Sequence, residues 1–176
     1  MIRIEDNFFD EKMFTHIKQH VTTKLIFEPG YFDDTERTKE NFFGSRFDWG
    51  KDKKLLDIFV KQAEKTFRLN IKQLGVVGGI DLRNLDHFKP HTDVEVGKLN
   101  ILVMIAGPTA VTNGTVFYYG REHSREHKCD LDIHVGFREN RAVIFPSDKI
   151  HSQHASVVPN LRRYTASIFV KDYELV

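Results

Sequence analysis

His91-Thr92-Asp93-Val94-Glu95-Val96-Gly97-Lys98-Leu99-Asn100-Ile101-Leu102-Val103-Met104-Ile105-Ala106 is the stretch on which the reading of the chain turns. Its second half is the most apolar run in the sequence and reads as a strand over 98–106. Its first half places a histidine and a carboxylate two residues apart. In extended backbone these side chains point the same way, because strand side chains repeat every two residues. Two such ligands on one face can hold a divalent transition metal. A third ligand from elsewhere would complete a two-histidine, one-carboxylate set with open positions, the geometry suited to non-heme Fe(II) and oxygen chemistry. H-x-D alone is a common accident of sequence, so the reading depends on its surroundings.

Upstream, a Gly-containing apolar segment, Val76-Val77-Gly78-Gly79-Ile80, leads toward the motif. The chain begins with a short strand, Ile2-Arg3-Ile4, and a turn at Asp6-Asn7. Asp10 is placed to cap a helix through about His20, with Phe14, Ile17 and Val21 on one stripe. His16 and His20 lie four apart on that helix and read as solvated surface. Lys24-Leu25-Ile26-Phe27 reads as a strand closed by Pro29-Gly30. Residues 31–50 scatter aromatics among charges without periodicity and read as a lid or substrate-facing loop, or as a surface meander tucking aromatics onto the core. A second helix is expected from about Asp52 to Arg68, where Leu55, Leu56, Phe59, Val60, Ala63 and Phe67 recur at three- and four-residue steps.

Downstream, short strand-like segments alternate with turns at 71–84, 89–93, 98–106, 115–119, 131–136, 141–146, 149–155 and 163–171. That pattern predicts a sandwich or barrel of antiparallel strands, with Asn113-Gly114 as a turn dipeptide. The fold class is therefore mainly β with flanking helices, α+β.

Composition narrows the function. The 176 residues suffice for one domain, and 40% apolar with 29% charged residues fits a globular protein. Fifteen phenylalanines suggest a core of large flat side chains and an apolar mouth to a pocket. A net charge of +1 gives no footprint for nucleic acid or an acidic membrane. The sole cysteine, Cys129, excludes an internal disulfide and fits a reducing compartment. No apolar stretch approaches the ~20 residues of a membrane span. The amino-terminal residues lack the apolar stretch of a signal peptide. A cytoplasmic location is the expectation.

The carboxy-terminal third supplies the remaining chemistry: Arg141-Ala142-Val143-Ile144-Phe145-Pro146-Ser147-Asp148-Lys149-Ile150-His151, then His154, then Leu161-Arg162-Arg163-Tyr164-Thr165. With these residues the chain resembles the Fe(II)- and 2-oxoglutarate-dependent dioxygenases, in particular the prolyl-hydroxylase-like branch. That signature is H-x-D, a distant histidine preceded by an apolar strand ending in Phe-Pro-Ser, and an Arg or Lys shortly afterwards. Asn113-Gly114-Thr115-Val116-Phe117-Tyr118 also looks like the family's glycine-containing entry into a strand. The resemblance covers about residues 76–172; residues 1–75 match only in general style.

It implies a double-stranded β-helix (jelly-roll) core over about 71–172, with a helical amino-terminal part over about 1–70 packed outside, the whole of 1–176 forming one domain. It implies His91, Asp93 and His151 as catalytic metal ligands for Fe(II), with 2-oxoglutarate and O2 taking the open positions. His154 is the alternative third ligand, and the Phe-Pro-Ser lead-in favours His151. A guanidinium is needed for the far carboxylate of 2-oxoglutarate. Arg162 and Arg163 both fall near the family's position, and as neighbours on a strand only one can face inward. Arg163 is favoured, with Thr165 on its face. Asn100 is a candidate for bonding the co-substrate, or else a structural asparagine.

The resemblance further implies hydroxylation of a peptidyl (prolyl-type) or small-molecule C–H with release of succinate and CO2. Asp93 supplies the carboxylate that halogenating relatives lack. Nucleobase demethylation is the competitor within the family, and Ile168 and Phe169 stand where those enzymes carry a second arginine. Two readings lie outside it: a non-catalytic jelly-roll binding module, and a cupin-like metalloenzyme without 2-oxoglutarate. Tyr118 and Tyr119 read as pocket or core residues. The charged segment 122–129 reads as a solvated loop rather than a zinc site, and His87 and His134 as surface or turn residues.

Overall fold

The computed structural model describes residues 1–31, 42–75, 78–84, 90–109, 113–119, 130–154 and 162–176, with main chain alone at 31, 42, 43, 84 and 154. In chain order the elements are β1 (Arg3–Glu5), α1 (Glu11–Thr23), β2 (Glu28–Tyr31), β3 (Phe42–Asp48), α2 (Lys53–Phe67), β4 (Leu69–Leu74), β5 (Gly79–Asn84) and β6 (Leu99–Ala106). They continue with β7 (Gly114–Tyr118), β8 (Leu131–Gly136), β9 (Arg141–Pro146), β10 (His151–His154) and β11 (Arg162–Leu175). A large antiparallel sheet runs β1-β9-β6-β11-β5-β3-β2, with β4 paired to the far end of β11. A three-stranded sheet, β10-β7-β8, faces it. This is a jelly-roll arrangement of two antiparallel sheets with helices on one side.

Both helices start where an aspartate can cap them. Asp10 Oδ1 accepts from the Met13 N–H, and Asp52 Oδ1 from the Leu55 N–H, each at 2.9 Å. The apolar stripes of α1 and α2 cover the outer face of the large sheet. There Ile17, Val21, Phe59, Ala63 and Phe67 pack with Ile101, Val103 and Ile105 of β6 and with Ala166, Ile168 and Val170 of β11. Phe8 and Phe9 meet edge to face at 4.7 Å, and Phe9 meets Phe59 at 5.1 Å. A second cluster fills the space between the sheets: Leu102, Met104, Phe117, Val135, Phe137, Val143 and Phe145. Thus β6 is buried on both faces, which is why it reads as an unbroken apolar run.

Asn140 ties the amino-terminal segment to the β8–β9 turn. It sits at φ 62°, a left-handed conformation that asparagine tolerates better than most residues. Its side chain accepts from the Phe9 N–H at 2.9 Å and donates to the Phe9 carbonyl at 2.8 Å.

Several expectations need correction. The strand expected at Lys24–Phe27 lies instead at Glu28–Tyr31, and Pro29 is tolerated because β2 is an edge strand. The segment expected at 71–84 is two strands, because β4 and β5 pair with different stretches of β11. The unperiodic region 31–50 contains β3 and a 3-10 turn at Trp49–Lys51; residues 32–41 lie outside the described residues. Asn113-Gly114 does not make a two-residue hairpin, since β6 and β7 belong to different sheets. His134 lies on β8, half-buried, rather than in a turn. Three of the strands before residue 70 (β1, β2 and β3) join the large sheet, so that part of the chain is not merely a helical cover. No helix among the described residues is long and apolar enough to cross a membrane.

Candidate metal centre and its cavity

The segment around His91 is not a full strand; only an isolated antiparallel bridge joins His91 to His151 at the start of β10. Each N–H donates to the other's carbonyl at 2.9 Å. Residues that exchange both bonds in this way present their side chains on one side. The imidazole centroids are 4.4 Å apart. Asp93 is anchored separately, its N–H donating to the Ser147 carbonyl at 2.7 Å. Its Oδ2 lies 3.3 Å from His151 Nε2 and its Oδ1 3.7 Å from His91 Nε2. One ligand atom from each of the three residues lies within 4.8 Å of the others.

The surroundings orient these groups. His151 Nδ1 donates to the Lys149 carbonyl at 3.0 Å, which leaves Nε2 as the ring nitrogen turned toward Asp93. Phe145 packs against the His151 ring at 4.7 Å. Asn100 Nδ2 donates to Asp93 Oδ2 at 2.9 Å, while its Oδ1 is buried without a partner among the described residues. Burial pushes the Asp93 carboxyl up, but the hydrogen bond and charge of His151, the charge of His91 and the Asn100 amide outweigh it and hold the group below the usual carboxylate range. Two imidazole nitrogens and an ionised carboxylate, converging with their hydrogen-bond supports in place, fit a first-row divalent metal such as Fe(II).

These residues line a cavity of about 450 Å³ between the two sheets. On β11 the side chains alternate: Arg163, Thr165 and Ser167 are buried and line the cavity, whereas Arg162 is exposed and does not. Of the two candidate arginines only Arg163 lines the cavity. Arg163 reaches across to the smaller sheet. Its Nη1 donates to the Gly114 carbonyl at 2.5 Å, its Nη2 to Thr115 Oγ1 at 3.2 Å, and its guanidinium lies 5.4 Å over the Phe137 ring. Its Nε is buried and has no partner among the described residues. Burial lowers the Arg163 pKa to about 9, with Arg83 adding to the drop and Asp81 opposing it, so the group stays cationic at neutral pH.

Sequence reasoning missed three residues that line the same cavity: Arg46 on β3, and Asp81 and Arg83 on β5. Asp81 is buried and accepts from both arginines. The available signal was Asp81-Leu82-Arg83, two charges with the period of a strand, which the sequence does not distinguish from a solvated face. Tyr118 bonds Ser152 Oγ at 2.8 Å and Tyr119 is exposed; neither lines the cavity. The side chain of His154, His87 and the segment 122–129 lie outside the described residues.

No protein-family model matches the chain, and no curated protein matches it in sequence. Solved structures do match in fold. The epimerase SnoN, in complex with Fe3+, α-ketoglutarate and nogalamycin RO, superposes with a TM-score of 0.67 at 10% identity, over 97% of this chain and 78% of that one. A prolyl hydroxylase from Trichoplax adhaerens, in complex with a hypoxia-inducible-factor peptide fragment, gives 0.63 at 12%, over 97% and 83%. EvdO2 from Micromonospora carbonacea var. aurantiaca, complexed with 2-oxoglutarate, gives 0.64 at 12%, over 99% and 88%. The chain has the double-stranded β-helix fold of the iron- and 2-oxoglutarate-dependent oxygenases.

Proposed function

We propose that the chain, read as a single domain, is an Fe(II)- and 2-oxoglutarate-dependent oxygenase that hydroxylates a C–H bond of a peptidyl or small-molecule substrate. One observation carries this reading: His91, Asp93, His151 and the buried cation Arg163 line one cavity. His91, Asp93 and His151 would hold the Fe(II), and the Arg163 guanidinium would take the far carboxylate of 2-oxoglutarate, with Thr165 beside it on β11. Iron with 2-oxoglutarate and O2 supplies the oxidant for the C–H bond, and succinate and CO2 leave.

The protein's own part is positioning. Asn100 holds the Asp93 carboxylate in one orientation, and the Lys149 carbonyl sets the His151 tautomer. Leu102, Phe145 and Phe169 give the cavity apolar wall segments beside the metal-binding groups. Retention of a carboxylate at position 93 supports hydroxylation over halogenation. The test is anaerobic titration of the Fe(II)-loaded protein with 2-oxoglutarate. A visible charge-transfer band of the chelate is expected, and a folded protein that develops none would refute the reading.

A further inference from the structure

The cavity has a cationic floor that the chelating site does not use. Arg46, Asp81 and Arg83 stand side by side on the inner face of β3 and β5, because Arg46 pairs with Asp81 across one strand boundary and Arg83 with Arg163 across the next. Asp81 is 2% exposed. Its Oδ1 accepts from Arg46 Nε at 2.7 Å, and its Oδ2 from Arg46 Nη2 at 3.3 Å and Arg83 Nη2 at 3.2 Å. Two guanidiniums are thus held in place by one buried carboxylate, and each makes further contacts besides.

The backbone is shaped to receive them. A Cβ at Gly79 would come within 2.3 Å of the Phe47 carbonyl and 3.2 Å of Arg46 Cγ. A Cβ at Gly44 would come within 2.8 Å of the Leu82 carbonyl and 3.3 Å of Arg83 Cγ. The absence of side chains at these two positions lets the arginine stems lie flat on the sheet. Both guanidiniums still line the cavity that holds the triad.

Within the proposed function the co-substrate has cations of its own. Arg163 matches one carboxylate of 2-oxoglutarate. A divalent metal less the charge of Asp93 matches the other. Arg46 and Arg83 share one buried carboxylate, Asp81, while Glu95, the third carboxylate of the lining, is exposed. We infer that Arg46 and Arg83, braced by Asp81, hold an anionic group of the substrate, a carboxylate or a sulfate- or phosphate-type oxyanion. The inference rests on the oxygenase reading. Guanidinium forks suit both kinds of anion, and a partly desolvated pair binds them more strongly than surface lysines would.

The experiment uses the full chain loaded anaerobically with Fe(II) and saturating 2-oxoglutarate, so that Arg163 is occupied. The chelate band is recorded first; sulfate and, separately, acetate are then titrated by calorimetry. One saturable site is expected for at least one of the two probes. Which of them binds more tightly separates an oxyanion-bearing from a carboxylate-bearing substrate. Arg83→Gln and Arg46→Gln should each weaken that binding about tenfold, with 2-oxoglutarate affinity held within about threefold, and Arg83→Lys should recover part of the loss. A wild-type protein without the chelate band refutes the oxygenase reading, and the substrate role of this floor with it. A normal band refutes this inference alone if neither anion binds, or if binding ignores both substitutions. A tenfold or larger loss of 2-oxoglutarate affinity in Arg83→Gln also refutes it, by assigning that arginine to the co-substrate. Should both glutamine variants fail to fold, a wild-type protein that binds neither probe still overturns the inference.

Discussion

The main chains of His91 and His151 exchange two hydrogen bonds of 2.9 Å. The two candidate ligands are therefore placed by backbone pairing, and the pairing does not depend on the imidazoles. Replacing either ring, or the Asp93 carboxylate, should leave the bridge formed. Asp93→Ala and His151→Ala are each expected to lower Fe(II) or Mn(II) affinity by more than about a hundredfold, beyond what loss of a supporting hydrogen bond does. Calorimetric metal titration beside a circular-dichroism melt checks both halves of the statement.

Asn100 supports the same carboxylate from β6. Asn100→Ala frees Asp93 Oδ2 to rotate and should cost about 10- to 100-fold in metal affinity, short of the loss from removing a ligand. The ordering of Asn100→Ala between wild type and Asp93→Ala is the measured outcome.

Arg163→Gln and Arg162→Gln should separate cleanly. The first is expected to weaken 2-oxoglutarate binding about a hundredfold, roughly 3 kcal/mol, with metal affinity in the absence of 2-oxoglutarate unchanged. It also strips the Gly114 carbonyl of its donor, so a stability loss of about 1–3 kcal/mol should accompany it. Arg162 is exposed, and its replacement should change neither quantity. Titration of the chelate band with each variant decides.

Asn140 holds both polar groups of Phe9 while sitting at positive φ. Asn140→Ala loses both bonds and strains the backbone, for an expected cost of about 2–4 kcal/mol. Asn140→Gly restores the backbone freedom without the bonds and should cost less. Urea denaturation of the two variants measures the difference.

Asp6 binds Arg141 Nε at 2.6 Å and Arg138 Nη1 at 2.9 Å, and the Arg141 hydrogen bond foremost, against some desolvation, holds its carboxyl below the usual carboxylate range. A depressed carboxylate stabilises the fold above its unfolded pKa and loses that contribution as pH falls through the folded one. Asp6→Asn should therefore be less stable than wild type at pH 7. The gap should close as the pH drops below the ordinary carboxylate range, which urea melts across a pH series would show.

Much of this was legible because the local signals were strong. The Asp10 cap and the stripes of α1 and α2 placed the helices within a few residues, and the doubly buried β6 announced itself as an apolar run. The H-x-D motif and the Phe-Pro-Ser lead-in to His151 marked residues that the fold brings together. Less was legible where tertiary pairing decides. That Arg163 points in and Arg162 out depends on the register of β11, fixed by β5 and β6 and not by its own sequence. Arg46, Asp81 and Arg83 were missed because charged residues alternating on a strand normally mark a solvated face. Here that face is turned inward, and the charges neutralise one another in part. Pro29 gave a false stop because nothing local reveals that β2 is an edge.

In the large sheet β11 alone joins the piece β1-β9-β6 to the piece β5-β3-β2. During translation both pieces leave the ribosome before the strand that unites them, each with a bare edge open to unwanted partners. The same late strand brings in Arg163. A nascent chain therefore gains its complete sheet and its full set of cavity-lining arginines in one closing event, and it has neither before then.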